Sequence, residues 1–155
     1  MIRAEWSGIV DRPIEEVFAY IGDQTNTPAW QAGLLEVKRT TEGPIGVGTK
    51  HTFVRKFMRR RMEADNEYIA FEPNKRIAFK TTSGPVRVEA SYDFESVGDG
   101  TRVTSRVQMD ASRFMSLAEP LIAAGLRREM KAASRALKDL LETPKVEITA
   151  RPATP

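Results

Sequence analysis

His51 is the only histidine in a sequence of 155 residues that contains no cysteine. Imidazole has an ordinary pKa near neutrality, so His51 is the first candidate for acid–base catalysis or for a hydrogen bond to a ligand. Strand alternation places His51 on the same face as Phe53. If Phe53 faces a cavity, His51 is expected to face it too. The alternative is a half-exposed histidine at a sheet rim, because the sequence offers no orienting carboxylate.

The absence of cysteine excludes disulfides, thiolate nucleophiles, iron–sulfur clusters and zinc–thiolate sites. One histidine is too few for most imidazole metal centres. We therefore predict no metal site and no cofactor, although a carboxylate site for Mg²⁺ or Ca²⁺ stays open in principle. No serine is framed by the glycines of a nucleophile elbow, so a Ser-His-Asp triad is not expected.

Aromatic and sulfur-containing side chains on apolar strand faces form the second group of candidates. Tyr92 lies on the apolar face of Val86–Phe94, where its hydroxyl needs a partner, and it completes a candidate catalytic pair with His51. Plain core packing, or a tyrosine that reaches solvent at the sheet rim, is the alternative. The predicted ligand-binding residues are Trp30, His51, Phe53, Met62, Tyr68, Phe79, Tyr92, Met109, Phe114, Leu117 and Leu121.

Charge is distributed unevenly along the chain. The net charge is +3, yet residues 50–61 contain six basic side chains and no acidic one. Within this segment, the basic hairpin 55–61 interleaves arginines with Phe57 and Met58, a composition that suits phosphate, anionic lipid headgroups or RNA. A solvated hairpin tip is the alternative. No stacking stripe or RNA-binding module accompanies it, so we predict no nucleic-acid partner.

Three carboxylates, Glu63, Asp65 and Glu67, fall on one strand face and resemble a paired-carboxylate site. They alternate with apolar and amide side chains, which is typical of a strand with one wet face. We therefore expect them to form cross-strand ion pairs with basic neighbours such as Arg55 or Lys56.

The elements that position these residues follow from hydrophobic periodicity. The pattern predicts a strand over Ile2–Val10, a short helix from Pro13, a second helical turn before Trp30, a strand over Leu34–Thr41, a strand meander over Thr49–Asp110, and a helix with the stripe Leu126, Met130, Ala133, Leu137 and Leu140. Pro120 marks either the start of this helix or a kink. Residues 143–155 are predicted to be a disordered tail.

This order predicts one α+β domain over residues 1–142. We expect a seven-stranded antiparallel sheet wrapped around a long C-terminal helix, with two short helices after the first strand. No apolar run reaches the length of a signal-peptide core or a membrane span, so a cytoplasmic location is expected.

The segment Asp11–Asp23 resembles the opening of the polyketide cyclase/dehydrase group in the START-like (SRPBCC) superfamily. Further matching features are the Pro28-x-Trp30 motif, the Gly46–Thr49 loop, the Glu72-Pro73 turn and the helix end Leu137–Glu142. The resemblance spans roughly residues 2–142 and implies a helix-grip fold with a deep apolar cavity. It also implies hydrophobic ligands such as lipids, polyketides, sterols or hormones, and it carries no invariant catalytic residue onto this sequence.

The leading hypothesis is binding of a small hydrophobic or aromatic ligand, lipid-, polyketide- or quinone-like, between the sheet and the C-terminal helix. One alternative is a cofactor-free polyketide cyclase or dehydratase, in which His51 and Tyr92 move protons while apolar walls fold the substrate. Another is a lipid- or protein-interaction module that uses the basic hairpin, with peripheral contact to anionic lipid. Pairing of sheet edges or rims would allow a homodimer.

Overall fold

The computed structural model describes residues 1–57, 59–84, 86–110 and 118–143 of the chain. The strands are β1 (Ile2–Val10), β2 (Leu34–Arg39), β3 (Lys50–Phe57), β4 (Arg60–Glu72), β5 (Arg76–Thr81), β6 (Arg87–Val97) and β7 (Gly100–Asp110). The helices are α1 (Ile14–Gly22), a 3-10 helix (Gln24–Ala29) and α2 (Glu119–Glu142). The predicted tail lies outside the described residues from residue 144 onward.

The strands form one antiparallel sheet in the order β1-β7-β6-β5-β4-β3-β2. Every consecutive pair from β2 to β7 is joined as a hairpin or meander, and β1 pairs with β7. The predicted α+β helix-grip fold is confirmed, with the long helix on the concave face and the two short helices after β1. The second strand ends at Arg39, two residues before the predicted Thr41.

A bulge in β4 places two aromatic rings on the inner face of the sheet. The pairing with β5 shifts between Tyr68 and Ala70, which turns Ile69 outward and brings Phe71 to the same side as Tyr68. The two rings stack with their centroids 5.8 Å apart. An extra residue of this kind also bends a strand, which helps the sheet to curve around a helix.

Helix α2 begins at Glu119 with Pro120 in its first turn, so Pro120 starts the helix and does not kink it. The predicted stripe holds at Ala133 and Leu137, both buried. It fails at Leu140, which is 43% exposed, while Leu141 packs against the core. Leu141 follows Leu137 by four residues and stays on the buried face of the helix, whereas Leu140 is rotated away from that face toward solvent.

Helix α1 seals one end of the sheet. Its buried Phe18 meets Phe71 and Phe94 edge to face, with ring centroids 5.2 and 5.1 Å apart. Val17 and Ile21 complete this contact and are almost fully buried. A cluster of buried apolar side chains therefore fills this end, and the opposite end is left to the cavity described below. Within the described ranges, no helix combines the length and the apolar character needed to cross a membrane.

Candidate ligand-binding site

A cavity of about 530 Å³ lies between the concave face of the sheet and α2. This volume falls within the range of small-molecule sites, about 300–1,000 Å³. Eight of the predicted ligand-binding residues line it, namely Trp30, Phe53, Met62, Tyr68, Phe79, Tyr92, Met109 and Leu121. Phe114 and Leu117 lie outside the described residues.

Small side chains at facing positions create the empty space. Ala90 of β6 lies opposite Phe79 of β5 on one side and Val107 of β7 on the other. Ala64 of β4 stands opposite Phe53 of β3 in the same way. Alternation of large and small residues across neighbouring strands thus leaves room beneath α2, whose wall is supplied by residues such as Leu126 and Met130.

His51 is not among the residues that line the cavity, which corrects the expected cavity-facing position. It does share the inner face of β3 with Phe53, yet it is fully buried, with its ring centroid 5.4 Å from that of Tyr68. No described residue meets hydrogen-bond geometry with either ring nitrogen. Burial lowers the pKa of His51, so the imidazole is neutral at physiological pH. Alternation identified the face correctly but not the depth along the strand.

The side chains around His51 form the closed end of the site, defined here by Gln24, His51, Asn66 and Tyr68. Asn66 Nδ2 donates to Gln24 Oε1 at 2.8 Å, and Gln24 Nε2 donates back to Asn66 Oδ1 at 3.3 Å. The Tyr68 hydroxyl donates to the Gly22 carbonyl at 2.6 Å, and burial raises the pKa of this phenol. These polar groups are used within the protein itself and tie β4 to the short helices.

A second polar group lies on the wall of the cavity between β3, β6 and α2. This polar wall consists of Gln31, Arg55, Tyr92 and Glu129. Arg55 Nη1 donates to Glu129 Oε1 at 2.5 Å, and Arg55 Nη2 donates to Gln31 Oε1 at 3.3 Å. The side chains of Arg55 and Glu129 are 29% and 34% exposed, so the pair is accessible from the cavity side.

Tyr92 completes this wall. Gln31 Nε2 donates to the Tyr92 hydroxyl oxygen at 3.4 Å, which leaves the hydroxyl proton available for another acceptor. Burial raises the pKa of Tyr92 to about 12, so the phenol stays protonated at physiological pH. The Trp30 ring stands edge-on to Tyr92 with centroids 6.2 Å apart. The arrangement offers one neutral donor and one cation beside an apolar cavity.

The placement of Arg55 corrects the expectation that it faces the carboxylates of β4. Those carboxylates do lie on the outer face, where Glu63 is opposite Val54 and Asp65 is opposite Thr52. Asp65 accepts hydrogen bonds from Thr52 and Ser83 at 2.5 and 2.9 Å, which lower its pKa. Glu63 and Asp65 thus lie opposite neutral residues of β3, whereas Glu67 lies opposite Lys50 on β3 and Lys80 on β5.

Three residues of the polar wall were missed in the sequence. Arg55 was detectable, because it follows Phe53 by two residues and the same alternation places both on the inner face. Gln31 and Glu129 carry no such signal, since they reach Arg55 across 24 and 74 residues of chain. Their position depends on how α2 and the 3-10 helix pack against the sheet.

Comparisons with known proteins agree with this geometry. Residues 1–142 match the family described as polyketide cyclase / dehydrase and lipid transport. An uncharacterized protein of Mycobacterium tuberculosis is 26% identical over 125 residues, which are 76% of this chain and 73% of that protein. A START superfamily protein from Mycobacterium smegmatis is 11% identical with a TM-score of 0.78, over 90% of this chain and 97% of that chain.

An aromatase/cyclase fold is similar as well. Zhui aromatase/cyclase from Streptomyces sp. R1128 has a TM-score of 0.72 and 14% identity over 90% of this chain and 93% of that chain. At such identities the structural likeness shows a common fold. The family match covers the sheet, both short helices and α2. The chain therefore belongs to the polyketide cyclase / dehydrase and lipid transport family.

Proposed function

We propose that the protein binds a small hydrophobic or aromatic ligand in the cavity between the sheet and α2. The observation that carries this proposal is a largely apolar cavity of about 530 Å³ with a hydrogen-bonded polar group, Gln31, Arg55, Tyr92 and Glu129, on one wall. Mostly apolar walls with a few convergent polar groups are characteristic of small-molecule sites. Membership of a family that includes cyclases and lipid transporters supports the same role.

The walls and the polar groups have different tasks. A ligand that buries about 200 Å² of apolar surface gains about 5 kcal/mol from the walls. A neutral hydrogen bond from the Tyr92 hydroxyl contributes about 1 kcal/mol. The walls, which include Phe53 and Phe79, therefore decide the affinity. Tyr92 and Arg55 decide which end of the ligand lies beside β3 and β6.

The test uses anilinonaphthalene sulfonate, a fluorescent aromatic probe, with the full chain. In Ala90→Phe an aromatic ring fills the cavity from its sheet wall, so we expect the dissociation constant to rise at least about tenfold. Ser105→Leu fills it from the neighbouring strand and serves as the second variant. Glu89→Ala, on the outer face of β6, is the matched control and keeps the affinity of the unmodified protein.

Circular dichroism establishes that each variant is folded before binding is measured. Equal affinity in the unmodified protein and both cavity-filling variants would place the dye outside the cavity and contradict the proposal. So would a protein that binds no aromatic or fatty probe and shows no rise of melting temperature with any of them.

A cofactor-free cyclisation is the second candidate function, and the protonated Tyr92 beside Arg55 favours it. In an aldol ring closure, an enol carbon attacks a carbonyl carbon of the same substrate chain. The new C–C bond replaces the carbonyl π bond, the enol becomes a ketone, and the enol proton ends on the former carbonyl oxygen, on which negative charge develops during the attack. The Tyr92 hydroxyl would donate to that oxygen, and the cavity walls would hold the chain folded. The proposed step assigns no role to His51, since that residue is not among those that line the cavity. The test is turnover of a model poly-β-ketone. If the unmodified protein turns it over and Tyr92→Phe abolishes turnover but keeps dye binding, the protein is a cyclase. If the unmodified protein binds the dye but shows no turnover, it is a carrier.

A further inference from the structure

One end of the sheet brings together the basic hairpin and the mouth of the cavity. The antiparallel pairing shows which strand ends meet at this end of the sheet. The end of β3 pairs with the start of β4 (Phe57–Arg60), and the end of β7 pairs with the starts of β6 (Arg87–Asp110) and β1 (Ile2–Met109). The amino group of Met1 lies 3.3 Å from Glu119 Oε1, which places the first turn of α2 at the same end.

The mouth of the cavity at this end is apolar and partly open to solvent. Met62, Met109, Leu121 and Ile122 line the cavity there. Leu121 is 79% exposed on the first turn of α2, the most exposed of the large apolar side chains in the described residues. With Ile122 and the methionines, Leu121 extends the apolar lining of the cavity to the protein surface at this end.

Positive charge is concentrated on the β3–β4 hairpin at this end of the sheet, where Asp110 and Glu119 are the nearby acidic residues. The basic tip is defined here as Lys56, Arg59, Arg60 and Arg61, all exposed. Arg61 approaches Glu36 at 3.7 Å. Among the residues that the structure describes, Lys56, Arg59 and Arg60 form no ion pair within 4.0 Å. The tip therefore presents cations to a partner outside the chain.

The backbone at the tip adds a second, independent observation. Arg59 has φ +66°, in the left-handed region that glycine and asparagine adopt most readily. Glycine would relieve this conformation and would remove the charge. The hairpin thus carries an arginine at a turn position that favours glycine. Such a conformation is expected where the side chain has a functional role.

We propose that this end of the protein docks on an anionic lipid surface. The basic tip contacts the headgroups, Leu121 inserts into the acyl boundary, and the cavity mouth faces the membrane. The proposal rests on the proposed function only for the cargo, which would pass between bilayer and cavity without crossing water. An exposed aliphatic side chain at the same end as the cations favours a membrane over RNA, which would need exposed stacking aromatics.

The experiment is co-sedimentation of the full chain with vesicles of phosphatidylcholine, with and without phosphatidylserine, at low and high salt. We expect the unmodified protein to bind only the anionic vesicles, and more weakly at high salt. The double variant Arg59→Gly/Arg60→Gln is expected to lose about tenfold or more in affinity. Leu121→Ser is expected to weaken binding without changing its salt dependence.

The matched control is Lys75→Gln/Arg102→Gln, which also removes two positive charges, but from exposed positions at the opposite end of the sheet. It is expected to bind vesicles as the unmodified protein does. Equal losses in the two double variants would show an effect of net charge alone and overturn the proposal. So would unchanged vesicle binding by Arg59→Gly/Arg60→Gln, or tight binding of RNA that Leu121→Ser leaves unaffected.

Dye binding is measured on the same variants, so that the two proposals fail separately. The tip lies outside the cavity lining, and its variants are expected to keep the dye affinity of the unmodified protein. Vesicle binding that depends on the tip in a protein whose cavity binds no probe would support docking and overturn the proposed cargo.

Discussion

His51 and Arg55 lie four residues apart on the same face of β3, yet they occupy opposite kinds of surroundings. His51 is fully buried, whereas the Arg55 side chain is 29% exposed and lines the cavity. On β4, the buried Asn66 and the partly exposed Met62 repeat this difference in burial, and both line the cavity. The same strands thus form a sealed end and an open end, because α1 and the 3-10 helix cover only one of them.

The two ends use their polar groups differently. At the closed end, Gln24, Asn66 and Tyr68 bond to one another or to the backbone at distances down to 2.6 Å. Along the polar wall, Gln31 meets Arg55 and Tyr92 at 3.3 and 3.4 Å, and the short contact of 2.5 Å between Arg55 and Glu129 joins two side chains that are about one-third exposed, where solvent screens their attraction. The closed end should therefore contribute mainly to folding stability and the open end mainly to ligand binding.

Truncation of one side chain at each end tests this division most strongly. Tyr68→Ala removes a fully buried ring and is expected to lower the free energy of unfolding by about 3–5 kcal/mol. Met62→Ala enlarges a cavity that already exists and is expected to cost about 1 kcal/mol. Urea unfolding followed by circular dichroism measures both values.

Tyr68→Phe refines the same measurement. It keeps the ring and leaves the buried Gly22 carbonyl without its donor, at an expected cost of about 1–2 kcal/mol. If Met62→Ala destabilised the protein as much as Tyr68→Ala, the two ends would share the folding energy and the division would be wrong.

The pH dependence of stability isolates the closed end. Burial lowers the pKa of His51, so below its ordinary value of about 6.5 the unfolded chain binds a proton that the folded chain does not. Stability is therefore expected to fall as the pH drops below about 6.5, by up to about 1.4 kcal/mol per pH unit. Urea midpoints at a series of pH values measure this slope.

His51→Phe should flatten the slope, since His51 is the only histidine of the chain. Asp65 and Glu142, whose pKa values are lowered by hydrogen bonds, lose their contributions only at more acidic pH, below about 4. The interval of about pH 5 to 6.5 therefore reports on His51. An equal slope in the variant would show that the imidazole is protonated in the folded protein.

Strand alternation predicts which face a residue occupies, and this was enough for much of the fold and the cavity. The inner positions Phe53, Met62 and Tyr92 followed from period-two patterning, because a residue's side of a strand depends on parity alone. The order of elements then determined which sheet face α2 must cover. Fold class and most of the apolar wall were therefore within reach of the sequence.

Depth along a strand is not encoded in parity. Nothing in the sequence around His51 and Arg55 distinguishes a sealed position from a cavity wall, because the covering comes from α1, the 3-10 helix and α2. The contact between Arg55 and Glu129 joins residues 74 positions apart. Side-chain pairs of this separation depend on tertiary packing, so the polar wall could not be assembled from local patterns.

A pair of double-mutant cycles compares the polar contacts of the two ends. The side chains of Arg55 and Glu129 are about one-third exposed, and solvent screening is expected to limit their coupling energy to below about 1 kcal/mol. Gln24 and Asn66 are more than nine-tenths buried and are expected to couple by about 1–2 kcal/mol. Unfolding of each single and double methionine variant supplies the values. A stronger coupling at the polar wall would assign Arg55 to folding and not to ligand binding.

The smallest expected effect concerns Tyr92 and separates orientation from affinity. Naphthoquinone and naphthalene differ by oxygen acceptors on the same ring system, and each can compete with the dye for the cavity. In Tyr92→Phe the affinity for naphthoquinone is expected to fall about three- to tenfold, because one neutral hydrogen bond of about 1 kcal/mol is lost. The affinity for naphthalene is expected to stay unchanged, since the apolar wall is kept.

Tyr20→Phe is the matched control, because Tyr20 packs beside the core and does not line the cavity. It should leave both affinities as they are. If Tyr92→Phe weakened both compounds equally, Tyr92 would act as wall and not as donor. The hydrogen bond from Gln31 to the Tyr92 hydroxyl would then serve only to position the Tyr92 ring. Ligand orientation would depend on Arg55.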